Sequence, residues 1–90
     1  MKLRFVGETF GHGFAGLTNG RIYECIGVEY TFVRVIDDEG EDYLYSAIFP
    51  GPANGLSPPG KWEIIEDDEN ETLKKAMERI WREYNNSTKN

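Results

Sequence analysis

The spacing of apolar residues changes once along this chain, and that change limits what it can fold into. Up to Glu66 the large apolar residues fall in short runs at alternate positions, as in Leu3 and Phe5 or Val33 and Val35; from about Asn70 they recur every three or four. A period of two marks half-buried strands, and a period near 3.6 marks an amphipathic helix. Ten glycines and four prolines break up the chain as turn makers between short strands do. Ninety residues leave room for a single core. The expectation is a mostly β domain with a C-terminal amphipathic α-helix.

The alternation predicts five strands, over 3–6, 21–28, 30–36, 41–49 and 61–66. In the second, Tyr23 and Cys25 share one face and Glu24 takes the other, but Ile22, Ile26 and Val28 do not all obey the alternation, which predicts a bulge or bend near Gly27. In the third, Val33 and Val35 point inward, with Phe32, Arg34 and Ile36 on the outer side. The glycine-rich stretch 7–20 carries Phe10, Phe14 and Leu17 and ends in Asn19-Gly20, a pair suited to a tight turn. It reads as a loop folded back across a barrel mouth. The stretch 46–60 holds Pro50, Pro52, Pro58 and Pro59, which excludes a central strand, because proline has no N–H for a ladder. Closing the five strands into a barrel would remove exposed edges.

After Glu66, Leu73, Ala76, Met77, Ile80, Trp81 and Tyr84 form one helical stripe. The predicted helix covers 69–85, the barrel 1–68, and 86–90 is a frayed tail. Acids from Asp67 to Glu71 favour the positive helix end. Glu71 with Lys75 and Glu78 with Arg82 are i,i+4 pairs worth roughly 0.2–0.5 kcal/mol each.

Two segments carry a resemblance: Leu17-Thr18-Asn19-Gly20-Arg21-Ile22-Tyr23-Glu24, and Val35-Ile36-Asp37-Asp38-Glu39-Gly40-Glu41-Asp42-Tyr43-Leu44-Tyr45. The chain resembles small SH3-like barrel proteins of unassigned function from Gram-positive bacteria and their phages, over most of residues 3–66. The resemblance implies a five-stranded SH3-like barrel and no particular reaction. Two features depart from it: the insertion at 46–60 and the helix after Glu66.

The formal charge is −6, with acids grouped at Asp37, Asp38, Glu39, Glu41 and Asp42 and again from Glu66 to Glu71. That field repels phosphate backbones and disfavours nucleic acid, while a basic partner would be attracted. Cys25 is the single cysteine, so no intrachain disulfide can form, which suits a reducing compartment. No apolar run is long enough for a signal peptide or membrane span. A cytoplasmic protein with no membrane partner is expected.

No residue set reaches the level of an active site. The acidic turn lacks the ligand spacing of a calcium loop. His12, the only histidine, has Glu8 and Thr9 nearby in sequence, but no spacing marks a triad with Ser46 or Ser57. No phosphate-cradling glycine motif occurs, and Cys25 reads as an inward strand residue. The expectation is no enzyme, no cofactor and no metal.

The aromatic residues exceed what so small an interior requires. Tyr30, Phe32, Tyr43 and Tyr45, with Glu39, Glu41 and Asp42 as an acidic rim, are the candidate surface of a non-catalytic protein-interaction module. The competing structural reading packs Tyr43 and Tyr45 beneath the 7–20 loop and uses Phe32 and Phe49 to support the helix. Met77, Trp81 and Tyr84 are candidate oligomer contacts, the basis of an alternative role in assembly through homo-oligomerisation. The partner is thus an unknown protein or the chain itself.

Overall fold

A computed structural model describes residues 1–11, 16–52 and 58–87. Five strands, β1 (Lys2–Val6), β2 (Ile22–Glu29), β3 (Phe32–Ile36), β4 (Asp42–Ser46) and β5 (Lys61–Glu66), precede one helix, α1 (Thr72–Ser87). All neighbouring strands run antiparallel, in the order β4-β3-β2-β1-β5.

Strand β2 holds the sheet together by pairing on both sides, with β1 through Ile22, Tyr23 and Glu24 and with β3 from Cys25 onward. The register slips between Cys25 and Gly27, where the sequence alternation breaks. Such a bulge bends the strand and sharpens the twist. One core results: Leu3, Phe5, Leu17, Tyr23, Cys25, Val33, Val35, Tyr45 and Trp62 from the sheet and its first loop, with Leu73 and Ile80 from α1. The helix therefore covers the concave side within the same chain, and the buried Leu73 and Ile80 each contribute on the order of 2 kcal/mol by leaving water.

The sheet is not closed, and the SH3-like barrel expected from the sequence is corrected on this point. Among the described residues the outer strands β4 and β5 share no ladder. The physical reason is Trp62, whose Nε1 donates to the Ser46 carbonyl at 3.0 Å. A side chain thus occupies the acceptor at the end of β4 that a ladder partner would need. Its ring meets Phe5, Tyr23 and Tyr45 edge to face, with centroids 5.9, 6.3 and 6.3 Å apart, which fills the gap with aromatic volume.

The helix begins at Thr72, later than the periodicity predicts, because the acids before it serve as caps. The Asp67 carboxylate accepts from the N–H groups of Leu73 at 2.9 Å and Lys74 at 3.0 Å, and Asp68 accepts from that of Thr72 at 2.8 Å. Three donors at the helix start, which have no intrahelical acceptor, are satisfied in this way. On the helix surface the ion pairs are Glu71 with Lys74 and Arg79 with Glu83, in place of the two predicted pairings.

Burial works to raise the Asp67 pKa, but N–H bonds from Leu73, Lys74 and Asp68 outweigh it and hold the carboxyl below its ordinary value of 3.8. Asp68 is also lowered, chiefly by the Thr72 hydroxyl. A depressed native pKa gives stability that is complete above the unfolded value and lost as pH falls through the native one. Asp67→Ala should therefore cost about 1 kcal/mol near neutral pH, and urea denaturation should show the gap from wild type narrowing below about pH 4. Trp62→Phe, which strands the Ser46 carbonyl, should cost about 2 kcal/mol and lower Tm by roughly 10 °C in a calorimetric scan.

Candidate binding surface

The turn from β3 to β4 is built around Asp37, which is only 5% exposed. Its Oδ1 accepts from the N–H groups of Glu39 at 2.9 Å and Glu41 at 3.2 Å, and its Oδ2 accepts from the Tyr45 hydroxyl at 3.3 Å. Gly40 takes a positive φ of 77°, which a glycine adopts without steric cost. Burial, then the nearby Asp37 charge, drives the Tyr45 phenol well above the usual range, so it remains a donor to Asp37.

Asp38 ties this turn to the end of the glycine-rich loop. It accepts from the Thr18 hydroxyl at 2.8 Å, Arg21 Nη1 at 2.8 Å and the Tyr23 hydroxyl at 2.6 Å. Burial, then the bond to Asp38, raises the Tyr23 pKa. Thr18 N–H donates to the same Tyr23 oxygen at 2.6 Å. The loop is pinned again where Phe10 N–H donates to the Leu17 carbonyl at 3.1 Å. At Gly16 an added Cβ would lie 2.3 Å from the Phe10 carbonyl oxygen, so only glycine lets the two strands of the loop approach this closely.

With the loop and turn fixed, a shallow groove opens beside β4, lined by Phe10, Tyr43, Tyr45, Phe49, Pro50 and Pro52. Tyr45 forms its floor at 6% exposure, while Tyr43 stands at the rim at 46%, with ring centroids 5.5 Å apart. Phe10 meets Tyr45 edge to face at 6.4 Å. Glu39, Glu41 and Asp42 are exposed at the turn end of this groove. Asp42 lies 3.5 Å from Arg34 Nη1, and Arg34 also binds Glu29.

The sequence-predicted surface divides in two. Tyr43, Tyr45, Glu39, Glu41 and Asp42 come together, but Phe32, although it pairs with Ser46 next to Tyr45, points to the opposite face of the sheet, and Tyr30 lies beyond it in the β2–β3 turn. Tyr30, 77% exposed, occupies the β2–β3 turn with φ of 56°, and its carbonyl accepts from Arg79 Nη2 of the helix at 2.8 Å. Phe32 is exposed. Phe49 supports the helix: its ring lies 5.3 Å from Trp81 and 5.1 Å from Tyr84. Both helix rings remain 41% exposed, while Met77 packs partly against the core. Phe10, Pro50 and Pro52 were not among the predicted site residues; the aromatic excess beside the proline-rich stretch was the signal in the sequence for such a surface.

Cys25 is buried; burial raises its pKa, and its Sγ lies 3.4 Å from the Gly27 carbonyl. His12 and Ser57 lie outside the described residues. Among the described residues, no group of three His, Cys, Asp or Glu side chains is placed to share a metal ion, and no helix is long and apolar enough to cross a membrane. The chain matches no family model, no curated protein and no solved structure.

The Asp38 bonds generate a direct test. Asp38→Ala leaves the partly buried Tyr23 hydroxyl without its acceptor and should cost about 2 kcal/mol. Urea denaturation measures that loss, and faster amide exchange at Phe10 and Leu17 should report the loosened loop.

Proposed function

We propose that this domain is a non-catalytic protein-interaction module whose contact surface is the groove beside β4. The observation that carries the reading is the convergence of Phe10, Tyr43, Phe49, Pro50 and Pro52 over a floor already rigidified by the Tyr45–Asp37 bond. The exposed Tyr43 ring loses little conformational entropy on binding. The hydrogen-bonded β3–β4 turn and the Phe10–Leu17 bridge reduce the ordering cost further. The excess of acid predicts a partner segment carrying positive charge.

Selection from a random peptide library tests this. Binders enriched in lysine or arginine are expected, with affinity falling at least about tenfold, or 1.4 kcal/mol, on Tyr43→Ala and unchanged on Ile65→Ala at a distance from the groove. A selection without binders, or binders indifferent to Tyr43→Ala, would defeat the reading.

A second reading, self-association through the helix, draws on the half-exposed Trp81 and Tyr84. Their packing on Phe49 of the same chain already uses part of that surface, which places it behind the first. Sedimentation velocity separates them: assembly requires a mass that rises with concentration and no longer does so in Trp81→Asp.

A further inference from the structure

An unclosed sheet leaves two outer strands, and they differ in how well they are defended. Strand β5 carries an irregular register against β1, and charged Lys61, Glu63 and Glu66 are spread along it. Bulges and charges are common devices against unwanted pairing at a sheet edge. Strand β4 pairs with β3 in unbroken register, Ile36 with Asp42 through Phe32 with Ser46. It contains no proline, and its one charged residue, Asp42, lies at the turn end.

The direction of its main-chain groups follows from two bonds at its ends. Asp37 N–H donates to the Glu41 carbonyl at 2.9 Å, and Ala47 N–H donates to the Thr31 carbonyl at 3.0 Å. Antiparallel ladders alternate between bonded and non-bonded pairs, so the bonded pairs within β3–β4 are Val35 with Tyr43 and Val33 with Tyr45. The N–H and C=O groups of Asp42, Leu44 and Ser46 consequently point away from β3. The Ser46 carbonyl meets Trp62, which agrees with that assignment. Among the described residues, none pairs as a strand with the outward side of Asp42 and Leu44.

We propose that β4 receives an extended, positively charged segment of another protein as an added strand. This rests on the interaction-module reading and names the mode and partner chemistry of the same site. Main-chain bonds to Asp42 and Leu44 supply affinity, and alternate side chains supply specificity. One set of side chains from the added strand lies over Tyr43 and the groove and is apolar. Lysine or arginine belongs at the end passing the turn, where Glu39 and Glu41 form no ion pair among the described residues. The net charge of −6 opposes a second copy as the occupant.

The test uses synthetic peptides of alternating valine and threonine, with two lysines at either the amino or the carboxyl end. Backbone amide exchange of the whole protein is followed by NMR. In the free protein, the Asp42 and Leu44 amides should exchange faster than those of Tyr43 and Tyr45. One of the two peptides should slow them by roughly tenfold or more. Methylation of the peptide's main-chain nitrogens, or glutamates in place of its lysines, should abolish that protection. Glu39→Lys with Glu41→Lys should weaken binding at least about tenfold.

Protection of Leu44 in the free protein matching that of Tyr43 would overturn the proposal, as would failure of both peptides to bind. Protection that grows with protein concentration alone would replace the partner with a second copy. Binding that shifts Tyr43 and Phe49 without protecting Asp42 and Leu44 would overturn strand addition while leaving the module reading intact. Loss of library binders as well would remove both.

Discussion

Where a closed sheet would need main-chain bonds between its first and last edges, this domain has the indole of Trp62. Its N–H reaches the Ser46 carbonyl, and its ring touches Phe5, Tyr23 and Tyr45. Edge-to-face aromatic pairs contribute roughly 0.5–1.5 kcal/mol beyond the area they bury. One residue thus fills the space between β4 and β5 and satisfies a carbonyl, and it does so without requiring the strands to approach within ladder distance. The helix closes the remaining concave side, adding Leu73 and Ile80 to the core that Trp62 completes.

Local features were legible in the sequence because they depend on neighbours in the chain. Val33 and Val35 are buried, as their alternation predicts, and the slip at Gly27 lies where Ile26 breaks the pattern. Leu73 and Ile80 likewise lie on the inward side of the predicted stripe. Closure was not legible. It depends on the distance between residues 46 and 61, and Trp62 reads in sequence as any other apolar strand position. The candidate surface was legible in part for the same reason: Tyr43 and Tyr45 share a face two residues apart, whereas Phe10 reaches Tyr45 only through the folded loop. Tyr30 and Phe32 were grouped with them by composition, but Phe32 takes the opposite face of the sheet from Tyr45 although it pairs beside it, and Tyr30 lies in the β2–β3 turn.

The acids of the β3–β4 turn show how residues of one type divide their roles by position. Asp37 is buried and shapes the turn through main-chain N–H groups. Asp38 joins the turn to the loop through Thr18, Arg21 and Tyr23. Glu39 and Glu41 point into water. A charge-assisted hydrogen bond is strong where solvent is scarce, while an exposed charge acts mainly through its long-range field. Two adjacent aspartates thus rigidify the rim on which the next acids are displayed. Read as a sequence, the five acids form one undivided cluster; fold geometry separates structural carboxylates from free ones.

Stability and the proposed recognition meet at the β4 edge. Its inner side chains are committed to the core, since Tyr45 is held by Asp37 and packs against Trp62. Among the described residues, its outward main chain at Asp42 and Leu44 is left by the same arrangement without a strand partner, since the Trp62 indole meets the Ser46 carbonyl. Five short strands can build this core without closing the sheet because aromatic rings and a helix cover what a ladder would have covered. An edge strand held rigidly from one side is preorganised from the other, which lowers the ordering cost of any strand that joins it. The substitution of side chains for a ladder is therefore what connects the architecture to the proposed binding mode: it completes the core and, among the described residues, leaves β4 without a second strand.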